Sequence, residues 1–531
     1  MDLEQKINGT GPIVRLIEAA ENPYLLSVAS ARTCYSSSGI VTPEGAARRP
    51  DLLDRISNST LKAGHLTTRQ HARFVFSIEN VSRHLVWSFL HSHPFYNSEQ
   101  VSQRYVAVRA DQFYYPRSLF KNENANALRL YDETLRLGME GYQALTEELK
   151  GTVREEYYRI FPARAKRPEK YEREIHKKAM EAARYLLPVG ALTYLYHTID
   201  GLTLHRYRRL CAGYDVPDET RSLVEAMHAA VREKDPRFAD EVEDPLPIEE
   251  TPEYAFFRNF YEQEGFSLHD PLRSDRFVRE FDETIGNVRS RLVSSQAQDP
   301  SILAAAVRSV LGLSSGELSD ESAIDLILNP ASNPRIASVL NETTLSKLMR
   351  TMVHVRYTFQ KRISHTADSQ DQRHRTVPGS RPILMRHFTG RPDFITPELI
   401  LHNRVALEIY ERAMERIFRN TVDLLDAGFE EEAVYLLPNA FPIRFYESGD
   451  LLNLHHKWKT RLCYTAQEEI FYASLDEVRQ VGAIHPQIAK HIFAPCTIRA
   501  GAGITPPCPE GDRFCGVKVW RLPIAQYGRL L

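Results

Sequence analysis

The chain has 531 residues, too many for one ordinary domain, so two or three domains are expected. With 43% hydrophobic and 26% charged residues it has the composition of a globular protein with ample core material. Its 67 basic and 69 acidic residues nearly cancel and are dispersed, which argues against a nucleic-acid or anionic-membrane partner.

Residues 12–35 are expected to run strand, helix, then Ala31-Arg-Thr-Cys-Tyr35. A helix over residues 52–63 follows, closed by Gly64 as its C-terminal cap. The loop His65-Leu-Thr67-Thr-Arg-Gln-His71 leads into a strand over residues 74–78 and an apolar helical run. A polar loop then ends in Ser102-Gln103-Arg104-Tyr105. A hydroxyl, a guanidinium and a phenol at this spacing are donors that a phosphate monoester needs. A solvated surface loop fits the same spacing.

Beyond the break at Phe113-Tyr-Tyr-Pro116, apolar residues recur at three- and four-residue steps over residues 128–149. They predict a long core-facing helix, ended by Gly151. A further helix leads to Glu181-Ala-Ala-Arg-Tyr-Leu-Leu-Pro188, an apolar run over 191–196, and the segment from Asp200 to Cys211. The Pro- and acid-rich residues 235–252 are read as a connection unable to hold a helix or central strand. A helical region over 253–293 and a second break at 294–300 complete the link.

Past that break the chain repeats itself. Glu431-Glu-Ala-Val-Tyr-Leu-Leu-Pro438 echoes the segment ending at Pro188, and Asp450 and Leu454-His455 echo Asp200 and Leu204-His205 at the same spacing. Ser364-His365 to Arg373-His374-Arg375 matches Ser82-Arg83 to His91-Ser92-His93. An amphipathic run from Leu401 to Leu424, closed by Gly428, matches the long helix. The chain therefore reads as a tandem α+β protein: first copy 1–234, connection 235–300, second copy 301–485, tail 486–531.

These motifs resemble the flavin-dependent thymidylate synthases, whose signature is Arg-His-Arg-x-x-Ser-x-Asn-Glu-x-Ser-x-Arg-Tyr. The first copy keeps Ser102-x-Arg104-Tyr105, has Asn97-Ser98-Glu99-Gln100 where Ser-x-Asn-Glu is expected, and has His91-Ser92-His93 for Arg-His-Arg. Gly64, His65, Thr67 and His71 keep the family's Gly-His-x-Thr-x-x-x-His. The second copy keeps Gln370-x-x-Arg373-His374-Arg375, and Arg461 with Ala466-Gln467-x-Glu469-Ile470.

The resemblance implies a fold of antiparallel or mixed sheet packed with long helices. It implies reductive methylation of dUMP to dTMP, with FAD, NADPH and methylenetetrahydrofolate, in a homo-oligomer (here a dimer of tandem chains mimicking a tetramer). It assigns nucleotide binding to Glu99, Gln100, Ser102, Arg104, Tyr105, Arg184 and Gln370. FAD would be held by His65, Thr67, His91, His93, Arg373, His374, Arg375, Asp450 and His456. Arg461 would lie against the uracil, where a permanent positive charge favours ionisation of the base. Its first-copy counterpart is Cys211 without a gap and Arg209 with a two-residue shift; Arg209 is taken. The losses are complementary, so composite sites drawing on both copies are expected. The alternatives are another flavin enzyme acting on a pyrimidine nucleotide and a non-catalytic binding or assembly paralogue.

No cysteine nucleophile is implied, and six cysteines in a long chain suit a reducing cytoplasm. No signal-type or membrane-spanning apolar run is present. In the tail, His491, Cys496, Cys508 and Cys515 could hold a tetrahedral zinc, although the spacing fits no standard pattern and three reduced thiols are the plainer reading.

Overall fold

The computed structural model describes residues 11–91, 95–211, 216–240, 248–252, 254–255, 269–339 and 342–531. Two compact units emerge, and each draws on both repeats. The first comprises Met1–Arg136, Pro188–His269 and Asn420–Leu437; the second comprises Leu137–Leu187, Asp270–Arg419 and Pro438–Leu531. No helix among the described residues is long and apolar enough to cross a membrane.

In the first unit, β1 (Ile13–Ala19), β2 (Arg73–Ser82), β3 (Tyr96–Gln100) and β4 (Leu192–Asp200) form an antiparallel sheet in the order β1-β2-β4-β3. Alternation along β2 buries Phe74, Phe76 and Ile78 and exposes Arg73 and Glu79, the period-two pattern of a strand with one covered face. Pairing shifts between Ile78 and Val81, where Asn80 takes a left-handed φ of 61° and its side chain donates to the Gly11 carbonyl at 2.7 Å. Helices α1 (Pro23–Thr33), α2 (Pro50–Lys62), α3 (Arg83–Leu85, continued by a π turn over Val86–Leu90), α4 (Gly201–Leu210) and α5 (Asp218–Lys234) accompany the sheet. Leu53, Phe76, Leu204 and Val224 share the resulting core. Gly64 stands just past α2 with φ +71°, as a left-handed cap requires.

The second unit repeats this plan. Strands β5 (Ser290–Ser294), β6 (Arg356–Ser364), β7 (Gly379–Ser380) and β8 (Pro442–Asp450) pair antiparallel in the order β5-β6-β8-β7. Arg356 faces Asp450 as Arg73 faces Asp200, and Lys361 faces Phe445 as Ile78 faces Leu195. Strand β5 corrects the expected helical region over 253–293, because its pairing with β6 starts the second sheet inside that stretch. A short helix, Pro236–Asp240, likewise stands at the start of the expected connection, since Pro tolerates the first helical turn; residues 241–247 lie outside the described set. Around the second core run α6 (Pro271–Ile285), α7 (Asp299–Leu311), α8 (Asp320–Leu328), α9 (His365–Asp371), α10 (Leu451–Arg461) and α11 (Glu468–Ile484).

The long amphipathic helices are α12 (Ala125–Ile160) and α13 (Arg404–Asp426). α12 runs on through Gly151. A Gly inside a helix costs about 1 kcal/mol, which the packed face around Leu145, Leu149 and Val153 outweighs.

Candidate functional site

Local chemistry sets the start of each motif segment. Ser82 caps α3 by accepting from the Leu85 amide at 3.0 Å, and Ser364 caps α9 by accepting from the Ala367 amide at 3.1 Å. Behind each serine stands a buried carboxylate. Glu219 accepts the Ser82 amide and hydroxyl, both at 2.6 Å; Glu469 accepts the Ser364 amide at 2.6 Å and hydroxyl at 2.5 Å. Each carboxylate also meets a tyrosine from the other repeat: Tyr435 lies beside Glu219, and Tyr185 donates to Glu469 at 2.6 Å.

In the first unit His65 and Thr67 are exposed at the start of a short 3-10 turn, Leu66–His71, while Arg69 is buried and donates to Ser57 at 2.7 Å. His91 is only 4% exposed. Its Nε2 lies 2.9 Å from the Ser98 hydroxyl and its ring stacks on Tyr96 at 5.0 Å. Tyr96 in turn stacks on His197, and His197 on Tyr207. His93 lies outside the described residues.

The stretch expected as polar loop contains β3, which exposes Glu99 and turns Gln100 toward Thr193 at 3.1 Å. The Ser102 hydroxyl accepts from the Arg104 amide at 3.2 Å, and the Ser102 carbonyl from the Tyr105 and Val106 amides. The Arg104 guanidinium sits 5.6 Å from the centre of the exposed Tyr105 ring. Serine, arginine and tyrosine are thus gathered on one tight turn.

The second unit holds the other set. The end of α9 carries Gln370, whose carbonyl accepts from the Arg461 guanidinium at 2.7 Å. Arg373 and Arg375 are exposed in the turn that follows. The His374 ring meets that of His456 edge-on at 5.9 Å. Burial, aided by the Arg461 and Lys457 charges, holds His374 well below its usual range, so its ring is neutral. Burial pushes His456 down to about 4. Arg184, from the first repeat, belongs to this same unit; it is 4% exposed and its carbonyl accepts from Asn439 at 3.1 Å. Asp450 caps α10, with both oxygens engaged by Asn453; Asp200 caps α4 by accepting from the Thr203 amide at 2.7 Å, and its other oxygen accepts from Gln70 at 3.2 Å.

Those two caps allow the two repeats to be counted in register. Counted from Asp200 and Asp450, Cys211 rather than Arg209 falls level with Arg461, and Arg209 falls level with Lys459. α4 ends at Leu210, one residue before the position level with Arg461.

Sequence reasoning missed the group beneath the Arg461 end of this site. Lys361 Nζ lies 2.6 Å from Asp371, 3.2 Å from Glu447 and 3.1 Å from Glu477. Lys457 Nζ lies 2.8 Å from Asp371 and also pairs with Glu447. Every member is at most 1% exposed. Burial opposes the charge on Lys361, yet the three carboxylates hold its pKa well above the usual range. Burial would raise Asp371, but Lys361, Lys457 and Arg461 carry it well below. For Glu447 burial wins and the pKa rises. The available signal was a lysine on the inward face of β6, between Phe359 and Ile363.

In the tail, His491 pairs with Asp325 at 2.9 Å and does not join the cysteines. The thiol near Cys496, Cys508 and Cys515 is Cys463. All are free thiols, and among the described residues no group of three or more His, Cys, Asp or Glu is arranged to hold a metal ion. The weak zinc candidate of the sequence is thus not assembled among the described residues: its imidazole faces Asp325 and not the thiols.

Comparison with known proteins finds a family model, "Thymidylate synthase complementing protein" (Thy1), matching residues 15–237 and 291–487. Curated relatives named flavin-dependent thymidylate synthase are 27% identical over 43% of this chain and 84% of the protein from Clostridium tetani. They are 29% identical over 31% of this chain and 69% of the protein from Geobacter sulfurreducens. A crystal structure of a UMP/dUMP methylase, PolB from Streptomyces cacaoi, bound with 5-Br dUMP, covers 44% of this chain and 94% of its own, with 17% identity and a TM-score of 0.32.

Proposed function

Since this chain belongs to the Thy1 family of thymidylate synthase complementing proteins, we propose that it methylates dUMP to dTMP, with methylenetetrahydrofolate as carbon donor and NADPH as reductant through FAD. The observation that carries this reading is Arg461, fixed by the Gln370 carbonyl at 2.7 Å beside Arg373-His374-Arg375. A guanidinium keeps its charge at any working pH, and a half-buried one stabilises an anion more than water does. Placed against a uracil ring it favours loss of the ring proton and prepares the base for attack on the donor carbon.

The residues present fit FAD. Exposed Arg373 and Arg375 match the charge of its pyrophosphate, and the neutral ring of His374 suits an uncharged heterocycle. When bound, FAD supplies the hydride; Arg184 and the Ser102–Arg104–Tyr105 turn would each bind a nucleotide phosphate. Arg184 from one repeat and Gln370, Arg373 and Arg461 from the other belong to one unit, which favours sites of mixed parentage.

Purified protein is expected to be yellow, with flavin absorption bands that change on titration with dUMP. Arg461→Ala should weaken dUMP binding at least tenfold, and Arg373→Ala should lower flavin content. A colourless protein that does not respond to dUMP after incubation with FAD would overturn the reading. Restored growth of a thymidine-requiring host separates thymidylate synthesis from other chemistry on a pyrimidine nucleotide.

A further inference from the structure

The buried charge cluster has an internal control, because the first repeat shows what the same fold packs at the same places. Strand register puts Ile78 level with Lys361 and His197 level with Glu447. Counting from the caps of the matching helices puts Phe89 level with Asp371, Tyr207 with Lys457 and Met227 with Glu477. In the first unit these are ring and hydrocarbon contacts with an uncharged polar pair among them: Phe89 lies on Tyr207 at 4.9 Å, and His197 Nε2 is 3.3 Å from the Tyr207 hydroxyl. The fold is built there without the buried ions. Apolar residues of similar volume commonly replace buried ion pairs with no loss of stability, so the second repeat's charges are not a requirement of packing.

Their placement shows what they can do. Lys457 and Arg461 are one turn apart on the same face of α10. They grip two consecutive residues at the end of α9: Lys457 pairs with the Asp371 carboxylate at 2.8 Å, and Arg461 donates to the Gln370 carbonyl at 2.7 Å. Lys361, from β6, closes on Asp371 from a third element at 2.6 Å. The Asp371 carboxylate thus ties three elements together directly under the arginine.

We propose that Asp371, clamped between Lys361 and Lys457, is a positioning residue for Arg461, setting the guanidinium where it meets the base of a pyrimidine nucleotide. This rests on the nucleotide reading of the preceding subsection. Glu447 and Glu477 balance the two lysines and keep the clamp closed. Glu477 is itself fixed by Trp458 Nε1 at 2.6 Å and the Ser290 hydroxyl at 2.8 Å.

The test is a thermodynamic cycle of dUMP binding on the flavin-loaded full chain, using wild type, Asp371→Asn, Arg461→Ala and the double variant. Asp371→Asn is expected to weaken binding about tenfold when Arg461 is present and less than twofold when it is absent. An equal loss in both backgrounds, or none in either, overturns the inference while leaving the nucleotide reading intact. A wild-type protein that fails to bind dUMP overturns both. If Asp371→Asn alone does not fold because it strands a lysine, Asp371→Asn/Lys457→Met takes its place in the same cycle, with the same outcomes deciding.

Discussion

Glu219 shows how much one side chain can add at the residue scale. Burial pushes its pKa up to about 7, although the two bonds from Ser82 pull the other way. The folded chain therefore holds this proton more tightly than the unfolded chain does. Its contribution to stability is complete below about pH 4.5 and is lost as pH rises through about 7, a span worth roughly 3 kcal/mol. Urea midpoints measured at pH 5 and pH 8 should differ less for Glu219→Gln than for wild type; equal pH dependence in the two proteins would refute the assignment. Motif residues such as Arg461 and Gln370 were legible in the sequence because their types and spacing are peculiar. Glu219 and Asp371 were not, since a lone carboxylate in an amphipathic helix reads as solvated until its neighbours are known. His91, which the resemblance assigns to the flavin, has a fold-level partner that the motif did not disclose: its ring stacks on Tyr96 with its Nε2 at Ser98.

The segments around the two Leu-Leu-Pro motifs act at the scale of elements. In the first unit the Val189 amide donates to the Leu437 carbonyl at 2.8 Å and the Gly190 amide to the Tyr435 carbonyl at 2.9 Å. In the second, the Asn439 amide donates to the Leu187 carbonyl at 2.8 Å and the Ala440 amide to the Tyr185 carbonyl at 3.0 Å. Each repeat thus completes a backbone ladder begun by the other. A Cβ on Gly190 would stand 2.8 Å from the Tyr435 carbonyl oxygen, which cannot swing aside as a side chain would. Gly190→Ala should cost about 1–3 kcal/mol, visible as a lower melting temperature. Gly151→Ala is the control: its Cβ meets open space on a helix, and the change should raise stability by about 1 kcal/mol or less. Helices and inner strands were readable from periodicity. Strand β5 was not, because its five residues carry an exposed arginine and serines and become a strand only through pairing with β6.

For the whole molecule, the decisive feature is that neither compact unit is made from one repeat. The first unit contains residues 420–437 of the second repeat, and the second unit contains residues 137–187 of the first. A chain of residues 1–234 alone would lack Tyr435 and Leu437, leaving Glu219 without its tyrosine and the Val189 and Gly190 amides without acceptors. Unsatisfied buried donors cost about 1–3 kcal/mol each, so that fragment should aggregate or pair with a second copy whose Tyr185 and Leu187 fill the same places. Size-exclusion chromatography with light scattering will tell; a stable monomer with native-like thermal unfolding would contradict the exchange.

The sequence by itself determined the duplication, the α+β class and the kinship, because these depend on local residue types and on spacing along the chain. The tertiary structure alone decided which groups of the two repeats share a unit, and that a clamp of buried charges lies beneath Arg461. Those facts depend on contacts between residues far apart in sequence, and neither periodicity nor motif spacing carries information about such contacts.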